Sequence, residues 1–337
     1  MPDARADTRT APRPDSLAIH SFLDFEKPVA DLAAKIRELS RPAEGADTVD
    51  VGPEIARLEA KRDDALRDLY AKLTPWQRTQ VARHPDRPHF CDYRDRLFTE
   101  WTELAGDLKF AEDAALPCGF ARIGGRPVLL MGQERGHDTP SRLRHNFGSA
   151  RPEGYRKAVR LMELADRHRV PVVSLVDTAG AYPGVGAEER GQAEAIARAT
   201  QACLRLGVPI VTLIIGEGGS GGAIAIATAN RVHMLENAIY SVISPEGAAS
   251  ILWRDAARAK DAATAMKITA QDLEGLRVID GIVPEPPGGA HRHADTVIEA
   301  AGETIRAALD ELAPLSPDEL RRQRREKYVA IGRTLAR

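Results

Sequence analysis

The chain has 337 residues, in which 47 Lys and Arg nearly balance 49 Asp and Glu for a formal charge of -2, with 43% hydrophobic, 28% charged and only 5% aromatic content. That is a globular composition with a mainly aliphatic core, and at about 100 to 200 residues per domain it has the length for about two domains. Near-neutral charge argues against a dedicated nucleic-acid or membrane-surface binder, and the longest uncharged stretches, 206–216 and 218–230, fall short of the roughly 18 residues of a spanning helix.

The first twenty residues, MPDARADTRTAPRPDSLAIH, mix both charge signs with Pro and have no apolar h-region, so a disordered tail over 1–20 is expected. Cys91, Cys118 and Cys203 form neither an even disulfide set nor a C-x-x-C knuckle, and are expected as buried thiols in a reducing cytoplasm. Phe25, Val29, Leu32, Ile36 and Leu39, then Ile55, Leu58, Ala65, Leu69 and Leu73, recur at helical spacing and predict a helical hairpin. Thr74-Pro75-Trp76-Gln77 reads as a capped helix start, and Leu97, Trp101 and Leu104 predict a further helix. The expectation for 21–112 is therefore a helical N-terminal region.

A strand-rich core is expected over 113–290. Two apolar runs within 120–131 flank Gly124-Gly125, as in a β-hairpin. Val170-Pro171-Val172-Val173-Ser174-Leu175-Val176 is echoed by Val208-Pro209-Ile210-Val211-Thr212-Leu213-Ile214, an internal repeat. Each run is followed by a Gly-rich stretch expected to be a loop, DTAGAYPGVG at 177–186 and GEGGSGG at 216–222, with a helix over 187–206 between them. Such a βαβ unit makes the strands parallel and brings both loops to one sheet edge, where α/β folds bind ligands. Further strands are expected at 232–235 and 238–243, a helix after Ser244-Pro245, and two polar C-terminal helices within 291–337, the second opened by Ser316-Pro317-Asp318-Glu319.

The segment 216–222 fits three patterns. Gly216-x-Gly218-x-x-Gly221 with Glu236 beyond it satisfies the dinucleotide fingerprint. Gly218-x-Ser220-x-Gly222 satisfies the nucleophile elbow of a serine hydrolase, for which His233, His291 and His293 are the later histidines. Thirdly, glycines opening a short apolar helix over 223–229 would present backbone N–H groups as an oxyanion hole. Tight packing without chemistry would also use glycine.

Several runs together are more specific: FLDFEKPVADL near residue 22, ARHPDRP at 82–88, NFGSARPEGYRKA at 146–158, DTAGAYPGVGAEERGQAEAIA at 177–197, GEGGSGGAIAIA at 216–227, YSVISPEGAASILW at 240–253 and VPEPPGGAHR at 283–292. From about residue 22 onward the chain resembles the alpha subunit of acetyl-CoA carboxylase carboxyltransferase. The resemblance implies an α/β, crotonase-like fold of repeated ββα units. It also implies a cytoplasmic α2β2 heterotetramer with a zinc-binding beta subunit, working with a biotin carboxyl carrier protein and an ATP-dependent biotin carboxylase in fatty acid biosynthesis. Carboxybiotin on the carrier would give its carboxyl to acetyl-CoA, forming malonyl-CoA. By position, Gly221 and Gly222 would hold the biotin carbonyl, with Gly180, Ala181, Gly218, Gly219, Ser220 and Arg135 as substrate-binding neighbours and no metal on this chain. The family's DTPGAYPG stands here with Ala179 in place of Pro, removing one fixed φ. The rival readings are a serine hydrolase on the same type of fold, using Ser220, and a non-catalytic scaffold subunit.

The remaining charged candidates have simpler readings. The basic loop at 132–148, with Arg135, Arg142, Arg144 and His145, reads first as a solvated face and second as a contact for CoA phosphates or for biotin's surroundings. The Arg321–Lys327 run reads as helix surface or subunit contact, and His291-x-His293 as a turn without the further ligands of a metal site.

Overall fold

The computed structural model describes residues 21–40 and 51–333, so the expected disordered tail over 1–20 lies outside the described residues. The N-terminal helices follow the apolar spacing. Helix α1 (Lys27–Leu39) buries Val29 and Ile36 and packs against α2 (Gly52–Tyr70). Helix α3 (Pro75–Ala82) opens with the expected capping box: the Gln77 amide donates to Thr74 Oγ1 at 3.3 Å, and the Thr74 amide donates to Gln77 Oε1 at 2.8 Å. Helix α4 (Phe90–Leu97) ends before the next expected helical residues.

The helix through Leu97, Trp101 and Leu104 is replaced by a strand, β1 (Thr99–Glu103), paired antiparallel with β2 (Cys118–Ile123). Only Trp101, at its centre, is partly buried, packed edge-on against Phe90 at 6.1 Å between ring centroids. Thr and Trp suit a half-buried strand, and pairing with the edge of the sheet outweighs an apolar spacing that also fits a helix. Strand β3 (Arg126–Gly132) completes the predicted hairpin, with Gly124 and Gly125 at φ +55° and +80° supplying the two left-handed turn residues.

After β3 come α5 (Thr139–Arg144), α6 (Pro152–Arg167), β4 (Val172–Thr178), α7 (Val185–Glu189), α8 (Gln192–Arg205), β5 (Ile210–Gly219) and α9 (Ser220–Ala227). The loop expected at 132–148 thus contains a helical turn, capped by the Asp138 carboxylate accepting from the Ser141 amide at 2.8 Å. The single helix expected over 187–206 is broken at Gly191, whose φ of +80° interrupts the helical path. The repeat strands lie side by side: β4 and β5 pair in parallel with Val172 opposite Ile210 and Leu175 opposite Leu213. Both are buried along their whole length, each aliphatic side chain contributing about 1.5–3 kcal/mol on burial.

The chain continues through β6 (Arg231–Leu235), β7 (Ile239–Ser241), α10 (Pro245–Trp253), α11 (Ala259–Ala265), α12 (Ala270–Gly275), β8 (Gly281–Val283), α13 (Ala294–Leu312) and α14 (Pro317–Ala330). The sheet runs β1-β2-β3-β4-β5-β6-β8, with β7 beside the far end of β5. Helix α13 is less polar than its sequence suggests, burying Val297, Ile298, Ile305, Leu309 and Leu312 in the main core. Helix α14 is held by Arg324, which is fully buried and donates to the carbonyls of Cys203, Leu206 and Val208 and to Asn230 Oδ1. The basic run at 321–327 therefore includes a buried anchor as well as surface.

Candidate active site

The carboxyl ends of β4 and β5 meet at one edge, and α9 starts there without a linker. Gly216 to Gly219, expected in a loop, are the last residues of β5, because Glu217, Gly218 and Gly219 pair with Ile239, Tyr240 and Ser241 of β7. The helix begins at Ser220, three residues before the expected start, and ends at Ala227. Ser220 has φ +52°, a left-handed value that costs a non-glycine residue on the order of 1 kcal/mol and makes the strand-to-helix bend sharp.

The stretch after β4 lies directly on this bend. A Cβ on Gly219 would collide with the Ala179 carbonyl, and one on Gly222 would come within 2.7 Å of the Ala181 amide nitrogen and 3.1 Å of Tyr155 Oη. Thr178 Oγ1 accepts from the Gly180 amide at 3.1 Å and donates to the Gly180 carbonyl at 2.8 Å. The Tyr182 amide donates to the Ala150 carbonyl at 2.9 Å, so the segment is fastened on both sides even with Ala179 where a Pro was expected.

Of the residues singled out in the sequence, Gly180, Ala181, Ser220 and Gly221 come together half-buried around the start of α9. Gly218, Gly219 and Gly222 are buried and shape the bend from within. Gly218 faces Tyr240, whose ring would stand 2.9 Å from an added Cβ. Consecutive N–H groups at a helix start have no partner within the helix, so the Ser220–Gly222 turn is a natural donor site for an oxygen carrying partial negative charge.

Arg135 is no solvated loop residue: it belongs to an ion network behind the bend. Its Nη1 lies 3.2 Å from Asp177 Oδ1 and 3.5 Å from Glu217 Oε2. Arg83 Nη2 is 2.7 Å from Glu217 Oε1 and its Nη1 2.6 Å from Glu246 Oε1. Asp177 also accepts the Glu217 amide at 3.0 Å and lies 3.1 Å from His89 Nδ1. Burial raises the Asp177 pKa, but Arg135, His89 and the Glu217 amide outweigh it and hold the carboxyl down at about 2. Arg135 is raised because its two carboxylates overcome the cost of burial. A cleft of about 120 Å³ opens beside this network, lined by Arg83, His84, His89, Arg135, Arg142 and Phe147.

Neither Asp177 nor Glu217 stands out in the sequence, although both lie inside the Gly-rich runs at strand ends, where a charged residue would be costly unless paired. Gln133, just after β3, had no sequence signal. Its buried side chain accepts the Asp177 amide at 3.2 Å and donates to the Gly222 carbonyl at 3.1 Å. Tyr155, on α6, carries a buried hydroxyl without a hydrogen-bond partner among the described residues, close to Gly222.

The rival patterns fare differently from the oxyanion-hole geometry. The dinucleotide fingerprint needs a glycine loop, whereas Gly216 and Gly218 lie within strand β5 and Glu236 accepts the Glu285 amide at 3.0 Å. The Ser220 backbone has the bend of a nucleophile elbow, but the later histidines are elsewhere. His233 lies opposite Leu213, seven residues before Ser220 and so about 20 Å away along the strand. His291 stacks on His84 at 3.9 Å, and His293 Nε2 is 3.0 Å from the Pro287 carbonyl. Among the described residues no group of three or more His, Cys, Asp or Glu could hold a metal, and no helix is long and apolar enough to cross a membrane.

The model of the acetyl co-enzyme A carboxylase carboxyltransferase-like family matches residues 22–332. The acetyl-coenzyme A carboxylase carboxyl transferase subunit alpha of Rhizobium rhizogenes is 64% identical over 317 residues, covering 94% of this chain and 100% of that relative. The protein of the same name from Brucella abortus is 63% identical over the same span. Among solved structures, the transcarboxylase 12S core aligns with TM-score 0.55 and 21% identity over 66% of this chain and 41% of that one. The beta subunit of P. aeruginosa geranyl-CoA carboxylase aligns with TM-score 0.54 and 18% identity over 74% and 46%. These structural likenesses are of fold, a mixed α/β crotonase-type core around a central sheet.

Proposed function

This chain belongs to the acetyl-coenzyme A carboxylase carboxyltransferase family and is a carboxyltransferase subunit of the alpha type; from that premise we propose that the backbone N–H groups of Gly221 and Gly222 bind the ureido oxygen of carboxybiotin while its carboxyl passes to acetyl-CoA, giving malonyl-CoA. The observation that carries the reading is the bend itself: a buried strand turns directly into α9, with half-buried Ser220 and Gly221 opposite Gly180 and Ala181. A ureido carbonyl is a neutral acceptor, and N–H donors without a neighbouring Cβ match it. When bound, carboxybiotin supplies the transferable carboxyl group.

The chain's own part is electrostatic. The turn's donors are fixed before substrate arrives, so they stabilise negative charge developing on the oxygen without reorganising, an effect for which one donor is worth about 10²–10³ in rate. Gly218 and Gly219 allow the close approach of strand and loop, and Gly180 and Ala181 form the facing wall. Arg135 is a supporting residue whose charge is committed to Asp177 and Glu217. Ser220 contributes its backbone, with no hydroxyl chemistry.

The partners in this reading are a zinc-binding beta subunit carrying the acetyl-CoA side of the site in an α2β2 assembly, a biotin carboxyl carrier protein and a biotin carboxylase, acting in cytoplasmic fatty acid synthesis. Co-expression with a four-cysteine zinc-binding chain, followed by a carboxyl-transfer assay, tests it. The expected result is a stable complex that forms malonyl-CoA and an isolated chain that is nearly inactive. Robust malonyl-CoA formation by the isolated chain would overturn the divided site.

A further inference from the structure

We infer that Gln133 is a positioning residue that sets the first turn of α9 relative to the end of β4. The inference rests on the assignment of that turn as the donor site. Gln133 is fully buried, and its two hydrogen bonds run to different elements: Oε1 accepts from the Asp177 amide at 3.2 Å and Nε2 donates to the Gly222 carbonyl at 3.1 Å. The chemistry fixes the orientation of the side-chain amide, since an N–H must face an acceptor and a carbonyl must face a donor.

The crosspiece adds a directed hydrogen bond at a turn that packs closely on Gly180, Ala181 and Tyr155. The Gly222 carbonyl belongs to the peptide that follows the proposed donors, so a donor held against it fixes the plane in which the turn begins. Across the strand end, the same side chain grips the backbone of Asp177, whose carboxylate is fastened by Arg135 and His89. The ion network thereby reaches the helix start through one neutral side chain, which adds no charge to the donor site. Without it, two buried backbone groups lose a partner and the turn is free to shift; a displacement of about 1 Å of a reacting geometry can cost about 10²-fold in rate.

The test uses the complex with the beta subunit and measures reverse transfer from malonyl-CoA to free biocytin. Gln133→Met removes both hydrogen bonds at similar volume. Gln133→Glu keeps the acceptor for Asp177 and sets a carboxylate oxygen against the Gly222 carbonyl, and serves if the Met variant does not fold. The expected result is an assembled complex with kcat lowered about 10²-fold and the KM for malonyl-CoA unchanged within about twofold. Gln133→Glu should also fall while its carboxyl is ionised, because a crosspiece bonded only to the Asp177 amide no longer spans the two elements. Wild-type kcat in either assembled variant overturns the inference, as does a loss that appears only as a raised malonyl-CoA KM. Gly221→Val run in parallel separates the two readings: if it lowers kcat while the Gln133 variants do not, the crosspiece fails alone; if it leaves kcat unchanged, the donor-site assignment fails with it.

Discussion

Arg135 and Asp177 leave neighbouring parallel strands and meet behind the glycine bend, with Nη1 3.2 Å from Oδ1 and the Asp177 carboxylate almost wholly buried. That contact, with Glu217 and Arg83 continuing it, ties the ends of β3, β4 and β5 to α3, so the edge that carries the bend is stiffened from beneath rather than by its own loop.

The Asp177 pKa of about 2 lies below the ordinary value of 3.8, so the group binds protons less readily in the folded state. Its stabilising contribution is complete above about pH 4 and is lost as pH falls toward about 2, amounting to on the order of 2 kcal/mol. Asp177→Asn should therefore flatten the acid limb of stability between about pH 4 and 2, read by urea unfolding at a series of pH values. An unchanged slope would show that Asp177 is not held ionised by this network.

Arg87 and Glu285 form a second buried pair, bonded through both guanidinium ends at 2.9 and 2.5 Å, while Arg87 Nε donates to the Ile215 carbonyl at 2.8 Å. Glu285→Leu leaves an uncompensated buried charge and should cost about 3–5 kcal/mol by denaturant unfolding. The double variant Arg87→Met with Glu285→Leu should recover much of that loss. If the double variant is as unstable as the sum of the singles, the pair is not the unit that matters.

Ser220 offers a clean separation of backbone from hydroxyl. Its φ of +52° suits glycine, so Ser220→Gly removes the hydroxyl and relieves strain together. Carboxyl transfer by the assembled complex should stay within a few-fold of wild type. A fall of about 10³-fold or more with the fold intact would instead indicate a nucleophilic or hydrogen-bonding hydroxyl.

The periodic and repeated parts of the chain were legible because local pattern and tertiary role agree there. The runs at 170–176 and 208–214 became adjacent parallel strands, with Ser174 Oγ and Thr212 Oγ1 2.6 Å apart at equivalent repeat positions. The spacing of Trp101 from Leu97 fits a helix, while the pairing that makes it a strand comes from residues 118–123. The Gly-rich composition of 216–219 suggests a loop for a related reason: what keeps Glu217, Gly218 and Gly219 extended is β7, more than 20 positions downstream. Gln133 was invisible because nothing in its neighbours announces that its two partners are the ends of other elements. The sequence around Arg135 reads as a solvated basic loop because both carboxylates that hold it lie far along the chain.

The central claim is that the start of α9 acts through its amides. Gly221→Val tests it most directly, because a side chain in a helix leans toward the N-terminus and would cover the donors. An added Cβ there meets only the Ile196 side chain, at 3.2 and 3.4 Å, so the fold can yield to it, whereas Gly222 is pressed against the Ala181 backbone. The measurement is kcat for carboxyl transfer in the assembled complex, with melting temperature and acetyl-CoA binding followed alongside. A loss of at least about 10²-fold with both of those unchanged is the predicted result; near-wild-type transfer in a normally melting complex would contradict the claim and leave these glycines a packing role alone.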